Sequence, residues 1–553
     1  MRIMFHKLKK YKSVFVILII SVLFCLDLFI RNGRPSAFDA PTHLTNIAQF
    51  TKALRDHDFP VRWMDGFANY GMPMGIIVQQ MTSYLGAIFN LLTNNVVLSY
   101  NMVVLVGVFF SAYFFYRFLR LHFSENASLL GTILFNFAPY RIINVYVRGA
   151  LPEFFSHVFF PLILIGLFLW IKKQDKRGLL YLFAGTLGTL LTHPFVMVIG
   201  MFVWVPYALW LYFDAKPRPS LSVTFIVPVI VFILLALGIS AFYILPLFQE
   251  IKYFYYGSAE RFLPGQFLTI KNYIGDQWFY FFNNDIDVRG HVIHLGLIEG
   301  LIIAGGALYW ILSKKKQNFL SWVLASFLLI FFFTTEYANP IYLKIKLLGS
   351  IQHNWRMFTS MILIAPLVVA FLQDKLKSMF FFWLILTIII VTKVPQLYGK
   401  NYLIEPQSKY YWTKENLHGN ILNTVWTGPT EDYPIKKVKG EIIAGNGQIL
   451  KRDEHNSWRT YTVEVKDELR MVDNTFYFPG WKVYVDGKPT GIEWQDMNYR
   501  GVITYKVPSG SHEVKVVFEN TKIRLLGNVI SVGSLFLFVL TLLLGKKLLY
   551  LFK

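Results

Sequence analysis

The sequence predicts a polytopic α-helical membrane protein of about twelve spans, with a small β-sandwich near its C-terminus. Three observations carry this reading. Apolar runs about as long as one bilayer crossing recur along the chain. Only 16% of the residues are charged, against about 25% in soluble proteins, and mean hydropathy is +0.44. One long stretch near the end, 394–523, alternates apolar and polar residues in its second half as strands do.

The charge balance and the cysteine count narrow the class. The net charge is +21, from 54 basic and 33 acidic residues. In a membrane protein such an excess marks cytoplasmic loops and anionic lipid, not nucleic acid. The single cysteine, Cys25, rules out an intramolecular disulfide and a cysteine metal site. Lys7, Lys9, Lys10 and Lys12 precede the apolar run Ser13–Ile30. That run has no small-x-small cleavage site, so it reads as an uncleaved first helix.

The expected spans are 13–30, 97–117, 125–140, 154–171, 178–192, 195–213, 221–247, 291–313, 318–334, 357–373, 379–393 and 524–549. Met74–Leu92 is ambiguous, because it carries Gln79, Gln80, Ser83 and Asn90. The positive-inside rule decides against it. If 74–92 does not cross, the clusters Arg117/Arg120, Lys172–Arg177, Lys216/Arg218, 314–316, Lys375/Lys377 and 546–547 all join the N-terminal lysines in the cytoplasm. The external segments are then 31–96, 141–153, the His193-Pro194 turn, 248–290, 335–356 and 394–523. The expected domains are a transmembrane domain over 1–393 with external loop 31–96, a β-rich domain over 394–523, and a final helix with a basic tail over 524–553. Asp486-Gly487 and Pro508-Ser-Gly510 are turn signals within the β-rich part.

This placement gathers the chemically capable polar residues on one side: Asp39, His43, Arg148, Glu153, His193, Gln352, His353 and Arg356. Asp39 or Thr42 could cap an amphipathic helix running to about Asp58. The functional reading makes Asp39 a general base, with His43 one turn away on the same face. Glu153 follows Pro152 and suits a first helical turn, where the dipole favours a carboxylate; its functional reading is acid–base chemistry. Arg356 beside Trp355 reads either as an interfacial anchor or as a phosphate clamp. His193-Pro194 reads first as a helix-breaking turn. No Walker loop, dinucleotide fingerprint, His-Glu-x-x-His or Cys-x-x-Cys motif is present, so ATP hydrolysis, NAD chemistry and zincin proteolysis are poor readings. The helices show little sign of a buried charge series.

Several segments resemble the bacterial membrane proteins labelled 6-pyruvoyl-tetrahydropterin synthase-related, and the YfhO-type proteins allied to them. They are Phe38-Asp39-Ala-Pro-Thr-His43, Tyr140-Arg-Ile…Arg148-Gly-Ala-Leu-Pro-Glu153, Phe242-Tyr-Ile-Leu-Pro246, Ile351-Gln-His-Asn-Trp-Arg356, Phe478-Pro-Gly480-Trp481-Lys-Val-Tyr-Val-Asp486-Gly487 and Val507-Pro-Ser-Gly510-Ser-His512. This group looks like a branch of the GT-C glycosyltransferase superfamily. The resemblance implies a GT-C-like membrane domain and inverting transfer of a sugar from a polyprenyl-phosphate donor to an extracytoplasmic acceptor of the bacterial cell envelope. It implies Asp39 as base, Glu153 as second-loop acid and Arg356 as phosphate contact. His43 would orient the acceptor or donate to the donor; Arg148, His193, Gln352 and His353 would bind substrate. Asp39 and Glu153 each stand alone, where many GT-C enzymes carry paired acids. No metal ligand set is legible, which favours a metal-independent mechanism and leaves dependence on a divalent ion open. The expected partners are the lipid-linked donor, a glycan or polymer acceptor and membrane lipid, with no nucleic acid. The expected location is the cell membrane, with both termini cytoplasmic and the β domain outside. A transporter or flippase of lipid-linked sugars and a non-catalytic envelope assembly protein are the rival readings.

Overall fold

The computed structural model describes residues 2–66, 70–255, 267–268, 273, 293–313, 318–349, 351–413, 423–429, 432–436 and 438–548. The basic cluster at 314–316 and most of the expected segment 248–290 lie outside the described residues.

Seven helices among the described residues are long and apolar enough to cross a bilayer: Lys12–Ile30, Val96–Leu119, Leu151–Lys172, Val196–Asp214, Asn354–Leu376, Met379–Gln396 and Lys522–Leu544. Two further pairs, Val223–Ile239 with Ala241–Tyr253 and Asn318–Thr334 with Glu336–Lys344, are bent by 68° and 80° and raise the number to nine if each is one span. The other three expected spans hold shorter helices, Glu125–Asn136, Arg177–Thr192 and Leu297–Leu312, of 12, 16 and 16 residues. At about 1.5 Å per residue, 16 residues fall short of a hydrocarbon core of about 30 Å. The first two stop just ahead of Pro139 and Pro194, where the preceding residue is pushed out of helical geometry. Among the described residues, then, seven to nine of the expected twelve spans are full-length helices.

The ambiguous stretch 74–92 is broken into Met74–Ile77 and the 14-residue helix Gln80–Thr93, with Gln79 extended between them. The amphipathic helix of the first loop is Ala40–Arg55, ending three residues before the expected Asp58. Pro41 sits in its first turn, where the missing N–H costs nothing. Leu44, Ile47 and Ala48 pack into the core of the helical bundle, whereas Phe50 and Ala53 belong to a second core.

That second core is shared between 50–87 and the C-terminal strands. The strands are β1 (Arg34–Pro35), β2 (Tyr402–Leu403), β3 (Gly440–Ala444), β4 (Gly447–Glu454), β5 (Trp458–Val465), β6 (Leu469–Phe476), β7 (Trp481–Val485), β8 (Lys488–Thr490), β9 (Val502–Val507) and β10 (Gly510–Phe518). They form an antiparallel five-stranded sheet in the order β4-β5-β10-β7-β8 and a three-stranded sheet in the order β3-β6-β9. Asp486 and Gly487 join β7 to β8 with φ of 48° and 76°, the two left-handed residues that a tight hairpin requires. Trp63 meets Trp481 edge-on at 5.0 Å, and Tyr70 stacks on Phe476 at 4.9 Å. The sheets thus need residues from the first loop to complete their core. The short β1–β2 pair ties the exit of the first helix to the chain after Met379–Gln396.

Candidate functional site

The loop 139–153 turns back on itself through a short helix and a π-helical turn, Ile143–Val147. It docks on the start of Ala40–Arg55 through two backbone bonds. Phe38 N–H donates to Val147 O at 3.2 Å and Asp39 N–H to Arg148 O at 2.7 Å. Gly149 makes this possible. Its φ is +67°, and a Cβ there would lie 2.7 Å from the Ala40 nitrogen. Only glycine meets both demands without strain.

Glu153 is the centre of the resulting cluster and is buried. Its carboxylate accepts from Arg148 through two nitrogens at 3.1 and 3.2 Å, from Thr359 Oγ1 at 3.0 Å and from the Tyr140 hydroxyl. Arg356 Nε stands 3.6 Å away as an ion pair. Arg148 also donates to Asn144 Oδ1 at 2.6 Å and stacks over the Trp355 ring at 4.5 Å. Two guanidinium groups therefore share one carboxylate, which leaves the cluster one positive charge in excess.

His353 stacks on Trp355 at 4.9 Å and 8°. Trp355 is buried, so its environment is this stack and not a lipid–water interface. Arg356 Nη1 donates to Gln352 Oε1 at 2.7 Å. Gln352 has φ +66°, a left-handed conformation that costs a non-glycine residue about 1–3 kcal/mol and clusters at functional sites.

Arg356, Gln352 and His193 line a cavity of about 190 Å³, together with Gln79, Tyr243 and apolar groups from Ile77, Leu247 and Phe254. His193 ends the helix Arg177–Thr192 as a breaker, as expected, and its buried Nδ1 has no partner. Asp39 and Glu153 do not line this cavity. Asp39 is exposed and stands on the Arg148 side of the cluster. It occupies the cap position of Ala40–Arg55, but its side chain makes no capping bond. The capping reading is thus not what the structure shows. His43, partly buried, lies within electrostatic reach of both Arg148 and His193. Of the eight candidate residues, seven fall in or around the Arg148–Glu153–Arg356 cluster, and Asp39 adjoins it through backbone.

Sequence reasoning missed Tyr140, Asn144 and Thr359 as members of this cluster, and Gln79 as a cavity residue. It also missed a buried ion pair and a buried arginine elsewhere. Lys393 donates to Glu299 at 3.0 Å with both side chains buried, and Arg141 is buried between Phe135 and Phe154 without a carboxylate partner among the described residues. His157, one turn after Glu153, is buried with neither ring nitrogen paired. Among the described residues no group of three or more His, Cys, Asp or Glu side chains is placed to hold a metal ion.

Burial and the arginines hold the site histidines neutral. Burial first, then Arg148, lowers His43 to about 3; burial and Arg356 lower His193 to about 4 and His353 to about 3. In the unfolded chain the same groups take up protons near pH 6.5. Below that pH the unfolded state binds more protons, so stability is full above about 6.5 and falls as the pH drops towards 4. The unfolding midpoint in detergent is expected to fall between pH 7 and pH 5, and His193→Gln to flatten part of that slope. A midpoint constant over this range would contradict the neutral histidines.

A family described as "6-pyruvoyl-tetrahydropterin synthase related domain; membrane protein" matches residues 81–399, more than half of the 553-residue chain. The chain belongs to this family. The matched stretch contains Arg148, Glu153, His193, Gln352, His353 and Arg356, whereas Asp39, His43 and the strands β3–β10 lie outside it. Among solved structures the chain is similar to the apo form of the Archaeoglobus fulgidus oligosaccharyltransferase, at 15% identity and a TM-score of 0.38. The similarity covers 73% of this chain and 56% of that one, so the chain spans little more than half its length. No curated protein matches the sequence.

Proposed function

We propose that this membrane protein is a glycosyltransferase that moves a sugar from a polyprenyl-phosphate donor to an envelope acceptor outside the cytoplasm. The observation that carries this reading is the division of charge around Glu153. The carboxylate holds Arg148 and Arg356 in place, and Arg356 turns toward a cavity large enough for a small polar head group. A preorganised guanidinium beside a leaving phosphate stabilises the charge that develops there. Asp39, on the other side of Arg148, offers an exposed carboxylate with no capping duty, which suits a base for an acceptor hydroxyl. His43, one helical turn from Asp39 and within electrostatic reach of Arg148, is neutral and can donate or accept a hydrogen bond. Glu153 is saturated by donors, so we assign it to holding the arginines and not to proton transfer. In this reading the site, the loop 31–96 and the strands β3–β10 face outward with both termini inside, as the distribution of basic clusters favours, the three shorter helices completing an even number of crossings, and the two sheets act as a sandwich roofing the site. The mechanism draws on side chains alone and needs no metal.

The test is envelope glycan composition in a deletion strain complemented with wild type or Asp39→Asn at matched protein levels. Removing a general base costs about 10²–10⁴-fold, so a sugar modification lost on deletion should return with wild type and not with Asp39→Asn. Full restoration by Asp39→Asn would move the transport reading ahead. That second reading is favoured by one observation, the buried Lys393–Glu299 pair, because buried charge between apolar helices commonly marks a transport path.

A further inference from the structure

The cavity beside Arg356 carries more polar information than a phosphate contact needs. Two of its polar groups make no side-chain hydrogen bond among the described residues. One is His193 Nδ1, which is buried. The other is the Gln79 amide. Gln79 is held in place from behind. It is the extended residue between two helices, and its carbonyl accepts from Ser83 Oγ at 2.8 Å. An amide with two donors and an acceptor, fixed at a cavity wall, suits neutral hydroxyls. An imidazole kept neutral offers one donor and one acceptor and suits the same partners. Gln352 and Tyr243 are polar too, while Ile77, Val78, Leu247 and Phe254 make much of the remaining wall apolar.

The charge is equally restrictive. Arg148 spends two nitrogens on Glu153 and a third bond on Asn144. Among the described lining residues Arg356 alone is charged, and no carboxylate lines the cavity. One anionic phosphate matches that single guanidinium, whereas a diphosphate would leave a second negative charge without a cation in the cavity, which is costly.

Building on the transferase reading, we infer that this cavity recognises a head group with one phosphate and adjoining sugar hydroxyls, and that Gln79 and His193 read the hydroxyls. Gln79 is then a binding residue that acts on the sugar and not on the lipid phosphate.

The experiment is direct binding by the full-length protein in detergent, with three probes: farnesyl phosphate, farnesyl diphosphate and glycosylated farnesyl phosphates bearing glucosyl, mannosyl or N-acetylglucosaminyl groups. Wild type should bind at least one glycosylated probe about tenfold more tightly than farnesyl phosphate, the value of one or two hydrogen bonds, and should gain nothing from the second phosphate. Gln79→Ala should erase that preference and leave farnesyl phosphate binding intact, while Arg356→Gln should weaken all three probes. Size-exclusion profiles and unfolding midpoints check that each variant folds. If Gln79→Ala and His193→Gln keep the preference, or if the diphosphate binds far more tightly, this inference falls and the transferase reading stands. If wild type binds no probe, both fall.

Discussion

Replacing Glu153 by Gln is expected to lower folded stability by about 3–5 kcal/mol, the usual cost of removing one partner from a buried ion pair. Few single changes in this chain should do more. The side chain keeps its shape, so no cavity opens, and the loss is electrostatic. Arg148 would remain buried with its guanidinium opposite an amide, and Arg356 would lose its nearest anion. Tyr140 and Thr359 would keep a carbonyl to donate to, but one of the two oxygens would become an amide nitrogen pressed against guanidinium donors. Denaturant or thermal unfolding in detergent measures this. The double variant Arg148→Gln/Glu153→Gln should recover part of the loss, because it removes the uncompensated charge that the single change creates; a cycle of the four proteins isolates the pair energy. A loss below about 1 kcal/mol for Glu153→Gln would mean that water already screens the cluster, and its role in holding the arginines would be lost with it.

How much of this was legible in the sequence depends on the range of each interaction. Arg148 and Glu153 are five residues apart in a loop broken by Gly149 and Pro152, so their proximity follows from local chain geometry. Arg356 lies 203 residues further on, and only the positive-inside argument placed it on the same side. Thr359 has no such marker, since a hydroxyl inside an apolar helix carries no spacing signal. Gln79 was noticed for making a membrane span doubtful, yet nothing local says that it reaches the cavity. The Lys393–Glu299 pair escaped because each charge sits alone at the end of an apolar run, 94 residues from its partner.

The β-rich region shows the same limit on a larger scale. Alternation in the second half of 394–523, as at Trp481–Val485 and 513–518, and the Asp486-Gly487 turn were readable, because strand period and turn chemistry are local. That the sheets complete their core with Trp63, Tyr70 and Met72 was not. Ser457 donates to Asp58 at 2.5 Å and Asn456 to the same carboxylate at 2.8 Å, across nearly 400 residues. Pairings of that separation are set by the global fold and leave no trace in a window of sequence.

The attachment of this region to the helices rests on Arg524, and Arg524→Gln should release it. Arg524 is fully buried. Its Nε donates to Glu250 Oε2 at 2.9 Å, its Nη2 to Pro479 O at 2.7 Å and its Nη1 to Glu519 O at 3.2 Å. One side chain thus joins the end of the helix Ala241–Glu250, the loop before β7 and the end of β10. The planar fork reaches three directions at once, which a lysine cannot do. In Arg524→Gln the Glu250 carboxylate would keep Thr521 as its one donor among the described residues, and two backbone carbonyls would lose the Arg524 donors. The cost of about 3–5 kcal/mol should appear as local undocking and not as global unfolding, because the helical core does not depend on these bonds. Limited proteolysis and hydrogen exchange should therefore show new exposure across β5–β10 while Val96–Leu119 and Asn354–Leu376 stay protected. Arg524→Lys should fall between the two. The cavity should feel the change as well. Ile251 and Phe254 form part of its wall, they follow Glu250 directly, and Phe254 packs on Phe478 at 5.4 Å. Unchanged proteolysis in Arg524→Gln would show that the shared core of Trp63, Tyr70, Phe476 and Trp481 holds the sheets in place without the buried arginine.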